Sequence, residues 1–113
     1  MKGKEKMAAY TVNSDVLTVQ LKGEIDHHTA GRMAKEADEL IARYEPTLLI
    51  LDFGNVTFSD SSGIAVVLGR YKKMKELGGQ TELSSVPKGI KRIFSLAAVD
   101  KLVKIRENVR NIK

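Results

Sequence analysis

The segment Leu48-Leu49-Ile50-Leu51-Asp52-Phe53 constrains this chain most: it is almost wholly apolar, lacks the alternation of a half-buried strand, and is bounded upstream by Pro46. Such a run favours burial on both faces and a central place in a sheet. Shortly after it comes Phe58-Ser59-Asp60-Ser61-Ser62-Gly63, and then Ile64, Val67, Leu68, Tyr71, Met74 and Leu77 recur at helical spacing and mark one apolar face. A buried strand therefore hands over to an amphipathic helix across a hydroxyl-rich turn. A hydroxyl in the first turn of a helix sits where free backbone N–H groups and the positive dipole end converge. That place suits a phosphate, either a ligand's or one attached to the serine itself.

The rest of the chain supplies partners for that strand. Residues 8–13 and 16–22 read as two strands around a turn at Ser14-Asp15, with Leu17, Val19 and Leu21 on one buried face. A helix follows from about His27 to Tyr44, with Asp26 as its N-cap and Ala30, Met33, Ala34, Ala37, Leu40, Ile41 and Tyr44 facing inward. The second helix, about 62–77, stops at Gly78-Gly79. Gln80 to Ser84 is a short strand, and Pro87 opens a third helix with Ile90, Ile93, Phe94 and Ala97 on one face. Leu102, Val103 and Ile105 suggest a last strand, and residues 107–113 a frayed helical turn. The order implies one α/β domain over residues 1–113, with its core at about 8–106 and a mixed sheet opened by a β-hairpin and flanked by helices.

Composition narrows the functional classes. There is no cysteine, which removes disulfides and thiolate metal sites. No secretory signal or membrane-length apolar run occurs, so the expected location is cytoplasmic, away from the membrane. The net charge of +5 is uneven: residues 1–60 carry 7 Lys/Arg against 10 Asp/Glu, and residues 61–113 carry 12 against 4. The basic residues come in small groups, with Arg70, Lys72, Lys73 and Lys75 mostly on the face opposite the apolar stripe of the second helix. They lack the interleaved aromatics of a single-strand binder, and direct nucleic-acid binding is not expected.

Enzymatic sites are poorly supported. Ser61 has no Gly-x-Ser-x-Gly elbow around it, and the only histidines, His27 and His28, begin a different helix. Adjacent histidines on a helix point about 100° apart and do not converge on one ion. Neither phosphate-binding glycine motif is present. For Asp60-Ser61-Ser62-Gly63 the plain structural role is capping, by Asp60 or by Ser61, worth about 1 kcal/mol. Gly63, however, costs up to about 1 kcal/mol against alanine in a first turn. Such a glycine is understood more easily if another group approaches closely, which points to a contact surface.

These residues resemble a known family. Leu49-Ile50-Leu51-Asp52-Phe53, followed by Phe58-Ser59-Asp60-Ser61-Ser62-Gly63-Ile64, is similar to the phosphorylation-site signature of the bacterial anti-sigma factor antagonists, which are single STAS domains. Gly23-Glu24-Ile25-Asp26-His27-His28-Thr29-Ala30 resembles the loop and helix start of the sporulation-type member. Leu68-Gly69-Arg70-Tyr71-Lys72, Leu77-Gly78-Gly79 and Val86-Pro87 with Ile90-Lys91-Arg92-Ile93-Phe94 match its second and third helices in order. The resemblance runs from about residue 9 to 106.

It implies a partner-switching regulator and not an enzyme, with no cofactor or metal. The unmodified protein would bind an anti-sigma factor that is also a serine protein kinase, freeing the sigma factor. Phosphorylation of Ser61 would end that binding, and a serine phosphatase would restore it. Asp26, His27, Asp60, Ser61, Ser62, Gly63 and Ile64 would lie on the partner-facing edge. The alternative is a ligand-sensing STAS domain that binds a nucleotide or other small anion near residues 61–64.

Overall fold

A computed structural model describes residues 8–106. Strands β1 (Ala8–Asn13) and β2 (Val16–Ile25) form the opening hairpin. Helix α1 (Ala30–Tyr44), strand β3 (Leu48–Ser59), helix α2 (Ser62–Glu76), strand β4 (Gln80–Ser84), helix α3 (Lys88–Leu96), a 3-10 turn (Val99–Lys101) and strand β5 (Lys104–Ile105) follow. The sheet order is β1-β2-β3-β4-β5, with β1 antiparallel to β2 and every later pair parallel. The expected mixed sheet opened by a hairpin is what forms, with β3 at its centre.

The core gathers on one face of the sheet. Leu17, Val19 and Leu21 of β2, Leu49, Leu51 and Phe53 of β3, and Leu83 of β4 are fully buried against Met33, Ile41, Val67 and Met74 of the first two helices. Paired residues on neighbouring strands share a face. The opposite face therefore carries Thr18, Gln20, Ile50, Asp52, Glu82 and Ser84, of which only Ile50 is buried. Burial on both faces of residues 48–53 thus extends to Ile50 and stops at Asp52.

Several boundaries differ from the sequence-based expectation. Strand β2 runs on to Ile25, and β3 runs on from Phe53 to Ser59. The extra length of β3 comes from two register shifts against β2, between Gln20 and Lys22 and between Gly23 and Glu24. At each, β3 holds one residue more than its partner, as in a β-bulge. Its inward residues are consequently 49, 51, 53, 56 and 59, a spacing that breaks the period of two. Helix α1 begins at Ala30 after a turn over 27–29, and Tyr44 leaves the core to meet Tyr10, with the two hydroxyls 3.1 Å apart.

On α2 the buried residues are Gly63, Val66, Val67, Arg70 and Met74, with Ile64, Leu68 and Tyr71 only partly covered and Leu77 exposed. Arg70, expected among the solvated cations, is buried because its Nε pairs with Asp38 Oδ1 of α1 at 2.9 Å. In α3, Ile90 and Phe94 are buried and Ala97 is exposed. The last strand is Lys104–Ile105; Val103 is buried beside it and Leu102 is not. The helical turn expected over 107–113 lies outside the described residues.

Candidate functional site

Two loops meet where the parallel strands β2 and β3 end. Ile25 pairs with Ser59, and the Asp60 N–H donates to the Ile25 carbonyl at 3.2 Å. Asp26 and Asp60, each the first residue beyond its strand, are thereby brought side by side. The helices that follow, α1 and α2, start at the same edge of the sheet. Sequence alone left that coincidence open; parallel pairing of β2 and β3 produces it.

The Asp26 loop is held by its own side chains. One Asp26 carboxylate oxygen accepts the His28 N–H at 2.9 Å and the Thr29 N–H at 3.1 Å. The Thr29 hydroxyl donates to the Glu24 carbonyl at 2.7 Å. Asp26 is therefore not the N-cap expected of it: α1 starts at Ala30 with Thr29 at the cap position, and the Asp26 carboxylate instead holds the turn that leads into the helix. The His28 N–H, with that of Thr29 beside it, holds the Asp26 carboxyl below the usual aspartate range. His27 and His28 are exposed, their ring centroids 3.9 Å apart. Among the described residues no group of three or more His, Asp or Glu side chains is placed to hold a metal ion.

The Asp60 loop settles the choice of cap. Asp60 Oδ1 accepts the Ser62 N–H at 2.7 Å, and the Asp60 carbonyl accepts the Gly63 N–H at 3.1 Å. Ser61 occupies the cap position yet makes no side-chain cap bond, and it is exposed. Among the described residues its hydroxyl has no hydrogen-bond partner at this helix N-terminus. Ser62 is half-buried and Ile64 partly covered.

Gly63 is explained from inside the fold. A Cβ there would fall on Ser59 Oγ and lie 3.6 Å from Phe94 Cε1. Ser59 is itself buried, its hydroxyl donating to the Asp60 carbonyl at 2.9 Å. The close approach that the glycine permits is internal: α2 sits down on the end of β3. Gly63 therefore sets the height of the Ser61 turn.

Phe58 is a feature to which sequence reasoning gave no site role. It is 50% exposed beside this turn, whereas Phe53 and Phe94 are fully buried and pack edge to face at 5.5 Å. Its place in β3 was hidden by the two register shifts.

Comparison with known proteins bears on the family and the fold. The family model of the STAS domain matches residues 7–112. An anti-sigma F factor antagonist from Paenibacillus polymyxa is 36% identical over 96 residues, which are 85% of this chain and 82% of that protein. The solved structure of the anti-sigma factor antagonist SpoIIAA in its unphosphorylated form superposes with a TM-score of 0.75 at 24% identity, covering 88% of this chain and 86% of that one. The phosphorylated form of the Bacillus cell fate determinant SpoIIAA gives a TM-score of 0.69 at 24% identity, covering 88% and 89%. The chain belongs to the STAS domain family, among the anti-sigma factor antagonists.

Proposed function

We propose that the chain is a phosphorylation-controlled partner switch whose modified residue is Ser61. Unmodified, it binds an anti-sigma factor that is also a serine protein kinase and so releases the sigma factor. The kinase transfers a phosphoryl group from ATP to Ser61, the complex separates, and a serine phosphatase resets the switch. The observation that carries this reading is the division of labour at the turn: Asp60 accepts the Ser62 N–H, and the exposed Ser61 hydroxyl has no partner among the described residues.

The physics of the added group fits an on–off control. A phosphoserine carries about −1.5 to −2 charges at pH 7. Over its own helix N-terminus that charge is well placed, so the domain keeps its fold. At a docked interface the same group is desolvated and must find compensation from the partner. A penalty of roughly 3–4 kcal/mol weakens binding several hundredfold, since about 1.4 kcal/mol is tenfold. No large conformational change is needed. Asp26, His27, Ser62, Gly63 and Ile64 would shape or flank the face that the partner covers.

The test is intact-mass spectrometry with site mapping after incubation with the anti-sigma factor kinase and ATP. A single phosphate on Ser61, with loss of kinase binding, is the expected result. Modification elsewhere, or tight binding by Ser61→Asp, would refute the proposal.

A further inference from the structure

The exposed ring of Phe58 is placed by a specific backbone device. Gly23 pairs with Val56, Glu24 with Phe58 and Ile25 with Ser59, so Thr57 is the extra residue of the second β3 bulge. In continuous register Phe58 would stand opposite Ile25, which is fully buried, and would share its inward face. The extra residue gives that inward place to Ser59, beneath Gly63, and turns Phe58 to the outward face with Glu24. The same bulge that seats α2 therefore also presents an aromatic ring to solvent.

The ring stands in a setting that resembles the centre of a contact surface. Phe58 precedes Ser61 by three residues, and Glu24, Asp26 and Asp60 surround the same end of the two strands. Large aromatics within a polar rim are the usual anchors of protein interfaces, where they fill a pocket on the partner and lose their water. A partner that handles the Ser61 hydroxyl must cover this end of the sheet. We propose that Phe58 is the apolar anchor by which the chain docks on the serine kinase that modifies Ser61, the kinase offering an apolar slot next to its phosphoryl-transfer site. This inference rests on the function proposed above.

The experiment measures calorimetric affinity for that kinase for the full chain and for Phe58→Ala, Phe58→Gln, Phe58→Leu and Ser61→Asp, and the rate of Ser61 phosphorylation for the full chain and the three Phe58 variants. Urea unfolding of each variant runs in parallel. Phe58→Ala and Phe58→Gln should bind at least tenfold more weakly, with kcat/KM for phosphorylation falling in step and urea midpoints unchanged. Phe58→Leu should retain most of the affinity. Binding by Phe58→Ala within twofold of wild type, while Ser61→Asp fails to bind, would overturn the anchor and leave the switch standing. Loss of binding that merely tracks loss of urea stability would also overturn it. Equal binding by wild type and Ser61→Asp would remove the switch itself, and the anchor with it.

Discussion

Ser59 lies directly opposite Ile25 in the parallel β2–β3 pair, and its hydroxyl fills the space that a Cβ on Gly63 would need. One contact thus couples three elements: the end of the sheet, the Asp60 loop and the first turn of α2. The height of Ser61 above the sheet is set by how closely Gly63 approaches Ser59.

Gly63→Ala should therefore destabilise the fold even though alanine is the better helix former by about 1 kcal/mol. Overpacking of a tight site costs typically about 1–3 kcal/mol, and here it opposes that gain. Ser59→Ala in the same chain removes the clashing oxygen and leaves Ser59 Cβ 3.5 Å from the new methyl group, an ordinary contact. Urea unfolding of the two single variants and the double variant should show strong non-additivity, with the double variant more stable than Gly63→Ala. Additive effects would mean that Ser59 is not what excludes a side chain at 63.

The two candidate caps make different predictions. Asp60→Ala removes the acceptor of the Ser62 N–H and should cost about 1 kcal/mol. Ser61→Ala removes a hydroxyl that makes no cap bond, and its unfolding midpoint should fall within the scatter of surface substitutions, about 0.5 kcal/mol. Thermal or urea denaturation of both variants checks this directly. The reverse order would place the cap on Ser61 and leave its hydroxyl engaged.

The parts of this fold that were legible in the sequence are those where periodicity survives. Helices α1 and α3 show their buried residues Met33, Ala37, Leu40, Ile41, Ile90 and Phe94 at spacings of three and four. Strand β3 was legible to Phe53 and no further, because each bulge shifts the inward set by one and alternation no longer reports the face. Arg70 was misplaced for another reason: its burial depends on Asp38 of a different helix, a pairing that no local pattern contains. The Asp60–Gly63 turn was visible as a site, but the cap was not assigned, since Asp and Ser serve almost equally well at that position. Nor could a sequence show that the group approaching Gly63 comes from the strand beneath it.

Asp26 links stability to pH. Its carboxyl titrates below the ordinary aspartate value in the folded chain because the His28 and Thr29 N–H groups bind the ionised form. A depressed folded pKa contributes stability that is fully present above the unfolded value and is lost as pH falls through the folded one. The stability difference between wild type and Asp26→Asn should therefore be constant near neutrality and shrink as pH drops below about 4, the unfolded aspartate value. Urea midpoints measured from pH 7 down to pH 3 check the trend, and an NMR titration of the Asp26 carboxyl should give a midpoint below that of a model peptide. A difference that grows on acidification would contradict the sign.

The Arg70–Asp38 pair joins α2 to α1, and its two members are unequally buried, with side chains 10% and 29% exposed. Removing one partner of a fully buried pair costs roughly 3–5 kcal/mol, because the remaining charge is left without compensation. Asp38→Ala leaves the guanidinium of Arg70, the more buried member, without its partner and should cost about 3 kcal/mol. Lys73 reaches the same carboxylate only at 3.9 Å from a side chain that is nearly half exposed, and Lys73→Ala should change stability by no more than about 0.5 kcal/mol. Arg70→Met combined with Asp38→Ala replaces the ion pair by apolar volume and should recover most of the loss seen in Asp38→Ala alone. Urea unfolding of the three variants decides the matter. Were Asp38→Ala as mild as Lys73→Ala, the guanidinium would have water or another partner available, and the pair would not be what fixes α2 against α1.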